Sequence, residues 1–194
     1  MALPQEITFL AADEYLEMEE HAQYKSEYYH GELFAMSGAS FNHNLIAANM
    51  FMALGASLGR SDCFVLGSDM KIEVDKALHY TYPDLSIVCG DVRFAANRND
   101  TISNPVVIAE ILSKSTKDYD RGSKFTAYRN ISSLKDYILV DQYSPHVEYF
   151  FKDEKGRWSL EEYYGADDCF IIKSVNAEIS MKQIYHRVKF SNEL

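Results

Sequence analysis

Apolar and polar residues alternate along this chain with two different periods. In FLAADEYLEMEE, Phe9, Ala12, Leu16 and Glu19 mark the faces of a helix predicted to start at Thr8. SEYYHGELFAM switches to a two-residue period and predicts two short strands turning at His30-Gly31. Helical spacing returns over residues 42–59, through Leu45, Ala48, Met52 and Leu58, with Gly59 near the stop. CFVLG, SDMKIEV and PDLSIVC then read as strands. After the polar stretch GDVRFAANRNDTISN comes PVVIAEILS, apolar on both faces as a central strand is. Ser115 or Thr116 caps a further helix expected to reach Asn130, and KDYILVDQ is the next strand. HVEYFFK and RWSLEEYY form a hairpin around residues 153–156, followed by CFIIKS and a short helix in SMKQIYHRV. The expected fold class is α/β: an αβββαβ core over about residues 41–141 with a mixed central sheet. An N-terminal helix and hairpin precede it, and a C-terminal hairpin and short helix follow, in one domain spanning 1–194.

Composition narrows the setting. No apolar run approaches the length of a membrane span, and MALPQEITFL lacks the basic and long apolar regions of a secretory signal. Cys63, Cys89 and Cys169 are odd in number and widely separated, without a C-x-x-C pair, so neither a disulfide framework nor a zinc site is expected and a reducing cytoplasm fits. The net charge of −10 excludes a surface that attracts nucleic acid everywhere. One stretch differs: between residues 114 and 135, six basic residues stand against two acidic ones, a local +4. Taken by itself, such a run is better explained by a solvated helix face than by a binding site.

The candidate chemistry lies in two strands. Glu110 is one carboxylate inside the apolar VVIAEILS, and a buried charge without a partner is expensive. If PDLSIV and VVIAEILS pair antiparallel with Val88 opposite Val106, Asp84 faces Glu110 on the same side of the sheet. Two carboxylates that close repel unless one is protonated or a cation sits between them, and all-oxygen ligation suits Mg²⁺ or Mn²⁺. A one-residue slip would put them on opposite faces. Each acid also has a plain structural use: Asp84 as an acceptor of backbone hydrogen bonds after Pro83, Glu110 as the partner of a cation on the following helix. Lys124 lies one helical turn from both Asp120 and Tyr128. If that helix crosses the end of the Glu110 strand, Lys124 would stabilise charge on a phosphate, with Lys114, Lys117 and Arg121 as backbone contacts.

Pro83-Asp84, the later Glu110 in an apolar strand and the αβββαβ order resemble the PD-(D/E)XK nuclease superfamily. More closely, SEYYHGELFAMSGASFNH, YPDLSIV and PVVIAEILSKSTKDYDRGSKFTAYRNISSLKDYILVD resemble the Uma-two family of restriction-endonuclease-like proteins, over roughly residues 27–141. The resemblance implies Mg²⁺-dependent hydrolysis of DNA phosphodiester bonds by an activated water, with Asp84 and Glu110 as metal ligands. Leu112 stands where the superfamily's lysine normally lies, and Lys124 matches the lysine that the family carries on the following helix. Glu27 and His43 also match family positions bordering the site, and Asp69 in GSDMKI is a third flanking candidate. A homodimer is expected because cutting two strands takes two sites. The competing expectation is a catalytically inactive nuclease-like module that binds nucleic acid or a protein, which Leu112 favours.

Overall fold

The computed structural model describes residues 9–95 and 97–190. The expected helix start at Thr8 lies outside them. The first described helix, α1, is Ala12–Glu20, with Asp13 and Glu14 in its first turn and Tyr15, Leu16 and Glu19 buried. Strands β1 (Ser26–Tyr29) and β2 (Glu32–Ala35) form the hairpin expected around His30-Gly31, where both turn residues have positive φ, 48° and 91°. Helix α2, Phe41–Leu58, begins at Ser40, whose hydroxyl accepts the amide of His43.

The central sheet has six strands in the order β11-β10-β9-β8-β6-β3. These are β3 (Cys63–Gly67), β6 (Leu85–Cys89), β8 (Val107–Leu112), β9 (Asp136–Asp141), β10 (Val147–Lys152) and β11 (Trp158–Tyr163). Only β8 and β9 run parallel, so the sheet is mixed. Their crossover is the helical segment 117–128: α3 (Lys117–Tyr119), a π-helical stretch (Asp120–Lys124) and α4 (Phe125–Tyr128).

Four features depart from expectation. The SDMKIEV strand, β4 (Lys71–Asp75), leaves the central sheet and joins β5 (His79–Thr81) and β7 (Thr101–Ile102) in a second sheet ordered β2-β1-β5-β4-β7. β5 and β7 are too short for their alternation to show in sequence. The C-terminal apolar run pairs with an unforeseen strand, β12 (Cys169–Ile172) with β13 (Ala177–Ser180), ahead of α5 (Met181–Ile184). Thr116, one of the two residues expected there, is the N-cap of the 117–128 segment, but its side chain makes no capping hydrogen bond; the Ser113 carbonyl accepts the Lys117 amide at 3.0 Å and its hydroxyl the Thr116 amide at 3.2 Å. Finally, Cys63 and Cys89 form a disulfide, where no disulfide framework was expected; the β3/β6 register sets them directly opposite each other, a pairing that their spacing in sequence cannot reveal.

The faces of β8 organise the interior. Val107, Ala109 and Ile111 pack against α2, α5 and the β12/β13 ribbon, while Ile108 and Leu112 pack with Phe125, Tyr128 and Tyr137 under the 117–128 segment. Strand alternation puts Glu110 on this second face. Among the described residues no helix is long and apolar enough to cross a membrane.

Candidate active site

The β6/β8 register pairs Leu85 with Ala109, Ser86 with Ile108 and Ile87 with Val107. Continued by one residue, it sets Asp84 against Glu110, the arrangement expected from the sequence. Each acid is tied to the other's strand: the Asp84 amide donates to Glu110 Oε2 at 3.3 Å, and the Ile111 amide donates to Asp84 Oδ2 at 2.7 Å. Asp84 thus takes a hydrogen bond that the end of a ladder would otherwise leave to a carbonyl. His43, from the first turn of α2, brings Nε2 within 3.2 Å of the same Asp84 oxygen.

Lys124 reaches this pair from the π-helical stretch. Its Nζ lies 3.0 Å from Glu110 Oε1, 2.9 Å from Glu27 Oε1 on β1 and 3.9 Å from Asp120 Oδ1. Glu27 is aimed by the β1/β5 pairing and also accepts the amide of Tyr82 at 3.2 Å. Tyr128 donates to Glu110 Oε1 at 2.9 Å and shares a 3.0 Å hydrogen bond with Thr81. Glu27, Glu110, Asp120 and Lys124 are all buried. Leu112, two residues beyond Glu110 on the same face, is 2 % exposed in the cluster with Phe125 and Tyr128. An ammonium there would sit in hydrocarbon, whereas Lys124 approaches Glu110 from the helix side.

Burial dominates the electrostatics of the cluster. It drives the Glu110 carboxyl well above the usual range, with Asp120, Asp84 and Glu27 adding to the rise and Lys124 opposing it. Asp120 is raised for the same first reason, with Lys124 again opposing. For Lys124, burial favours the neutral amine, but Glu110, Glu27 and Asp120 together outweigh it and hold the ammonium well above its ordinary value. Burial and the facing Glu110 push the Tyr128 phenol upward.

These groups line a cleft of about 1880 Å³ between the two sheets, α2 and the 117–128 segment. Lys114 stands at its rim, 5.3 Å from the Tyr143 ring. Three expected residues are elsewhere. Asp69 is exposed and pairs with Lys25 at 2.9 Å. Arg121 turns to β10, where its Nε donates to Glu148 at 2.8 Å, so its charge is committed to the C-terminal hairpin and not to the cleft. Lys117 is exposed outside the cleft lining. The cleft also contains groups that the sequence did not single out. His79 is buried, its Nε2 makes no hydrogen bond among the described residues, and the pKa of its imidazole is lowered to about 4, chiefly by burial. Gln142 joins the Ser40 hydroxyl to the Leu112 carbonyl, fastening α2 to β8. Among the described residues, no three His, Cys, Asp or Glu side chains are grouped for a metal.

The family Uma2, described as "putative restriction endonuclease", matches residues 12–182. The chain belongs to this family. Two Synechocystis sp. proteins are similar along most of the Uma2 match: the uncharacterised protein slr1290, 36 % identical over 183 residues (93 % of this chain, 94 % of that one), and the uncharacterised protein sll1609, 36 % identical over 156 residues (80 % and 88 %). The crystal structure of a "putative nuclease belonging to DUF820" from Anabaena variabilis superposes with a TM-score of 0.72 at 17 % identity, covering 91 % of this chain and 97 % of that one. The Uma2 chain therefore has a restriction-endonuclease-like fold, and family and fold together support a nuclease.

Proposed function

We propose that the cleft hydrolyses DNA phosphodiester bonds, with Asp84 and Glu110 holding Mg²⁺ or Mn²⁺ and Lys124 as the catalytic cation. The observation that carries this reading is the meeting of two opposed carboxylates with a lysine ammonium 3.0 Å from one of them at the floor of a cleft. The residues fit such an ion. Its donors would be oxygens alone, and one or two carboxylates completed by water and phosphate oxygens is the set Mg²⁺ takes. Glu27, Glu110 and Asp120 also exceed the single charge of Lys124, so local charge favours a further cation. A bound ion would supply Lewis acidity and a water of lowered pKa.

The chain's own contribution is positional. The Ile111 amide fixes Asp84, Tyr128 and Lys124 fix one oxygen of Glu110, and Glu27 and Asp120 hold the ammonium over the strand end. Lys114 is placed to meet a phosphate at the rim. Two cuts in a duplex require two sites, so a homodimer belongs to this reading. A cytoplasmic setting does too, and there Cys63 and Cys89 would be kept as thiols.

A second reading rests on the same cluster. Lys124 is 5 % exposed and already satisfied by carboxylates, which is also how a structural ion network looks. The protein would then be an inactive nuclease-like binding module. Supercoiled plasmid incubated with Mg²⁺, Mn²⁺ or EDTA separates the two. Metal-dependent nicking by the wild type that Asp84→Asn abolishes supports hydrolysis; nicking of equal rate in both proteins removes Asp84 from the mechanism.

A further inference from the structure

The walls of the cleft differ in chemistry from its floor. In β1, Tyr28 turns toward α1 and stacks on Tyr15, while Glu27 and Tyr29 face the cleft. Pairing extends that face sideways: Phe34 lies opposite Glu27, and His79 lies opposite Tyr29. Tyr29 and Phe34 stand on one side, Phe51 projects from α2, and Tyr119 and Tyr143 come from the segments after β8 and β9. All five rings line one cleft and are between 38 and 49 % exposed.

Positive charge is scarce by comparison. Of the three lysines lining the cleft, Lys25 is paired with Asp69, Lys124 is buried among carboxylates, and Lys114 alone faces solvent without a carboxylate partner among the described residues. Five carboxylates line the same space. Duplex DNA is held mainly through its phosphates, by many lysines and arginines along a groove. Its base faces are hidden in the stack, where exposed rings cannot reach them. An unpaired strand presents those faces, and stacking on aromatic side chains is how proteins hold it. His79 belongs to the same wall, and its buried Nε2 has no hydrogen-bond partner among the described residues.

We infer that the cleft takes an unpaired DNA strand, with bases stacked on Tyr29, Phe34 and the facing rings and the backbone led past Asp84 and Glu110. The position of the cut rests on the hydrolytic reading above; the binding does not. An unpaired strand needs one cut, so the argument for a dimer falls away with the duplex.

The test compares a fluorescent oligo-thymidylate with a duplex of equal length, by anisotropy, with wild-type protein in Ca²⁺. The single strand is expected to bind at least about tenfold tighter. Phe34→Ala and Phe51→Ala should each weaken it by about fivefold to a hundredfold, with Phe34→Tyr retaining binding. Both rings are half exposed, so the melting temperature serves as a check that these variants fold. Equal or tighter duplex binding overturns the inference, as does single-strand binding that the double alanine variant leaves unmoved. Conversion of a dimer into a monomer by those alanines, read by sedimentation, overturns it in favour of a protein interface. Ring-dependent single-strand binding without cleavage in Mg²⁺ or Mn²⁺ sinks hydrolysis and leaves the inference standing. Metal-dependent cutting of duplex in preference to single strand does the reverse.

Discussion

Two lysines of this protein are buried, and they are opposites. Lys124 has three carboxylates around its ammonium and is held charged far beyond its ordinary range. Lys71 on β4 has one, Asp100 at 3.9 Å, which is already bound by Arg98. The rings of Tyr15 and Tyr82 lie 5.2 and 5.5 Å from its Nζ, which makes no hydrogen bond among the described residues, and burial lowers its pKa. Both side chains are almost fully removed from water, so burial does not distinguish them. The difference is whether opposite charge was assembled around the group and whether that assembly opens on a cleft; Lys124 meets both conditions.

Substitution of each lysine by methionine should break the symmetry most visibly. Lys124→Met strands Glu27, Glu110 and Asp120 together, and urea denaturation at pH 7 should show a loss of about 3–5 kcal/mol. The deficit should shrink toward pH 5 as the raised carboxyls take up protons; a deficit that is constant with pH would mean that the carboxylates are not repelling one another.

His79 is a third buried basic group, held neutral by its burial, and it supplies a pH test. Burial holds its folded pKa at about 4, below the ordinary imidazole value of 6.5, so the unfolded chain binds the proton more tightly. The associated stability is present above pH 6.5 and is lost as pH falls toward 4, by about 3 kcal/mol in all. In His79→Phe that increment of acid sensitivity should be missing from a pH series of denaturation midpoints. An unchanged acid limb would show that His79 titrates normally.

Smaller effects follow on each side of the comparison. Tyr128→Phe removes a donor from Glu110 and should cost about 1–3 kcal/mol, read by denaturant titration. Lys71→Met should leave the midpoint unchanged or raised, because Asp100 keeps Arg98 and two tyrosine rings receive the methionine. A large loss there would mean that Lys71 is held as firmly as Lys124.

The acid pair was legible because both its strands are continuous apolar runs, and a single antiparallel register places Asp84 against Glu110. Lys124 and Glu27 were reached through the family pattern; no local rule shows that β1 and the 117–128 segment converge. His79 and Thr81 escaped because three residues, HYT, carry no readable period. Arg121 was misplaced for a different reason. A run of basic residues shows which charges are near in sequence, whereas the faces of a helix decide which are near in space, and Arg121 falls on the face toward Glu148. The Cys63–Cys89 pair depends wholly on the β3/β6 register, and two cysteines 26 residues apart say nothing about register.

The bond from the Ile111 amide to Asp84 turns one backbone proton into a gauge of the carboxylate. Any ion that draws electron density from Asp84 should move that amide resonance before a single strand is cut, and the lanthanum or calcium titration that moves it needs no substrate. The same bond warns that removing the side chain frays β8 at its working end. Asparagine, which keeps an oxygen for Ile111, therefore separates lost chemistry from lost strand, and alanine confounds them.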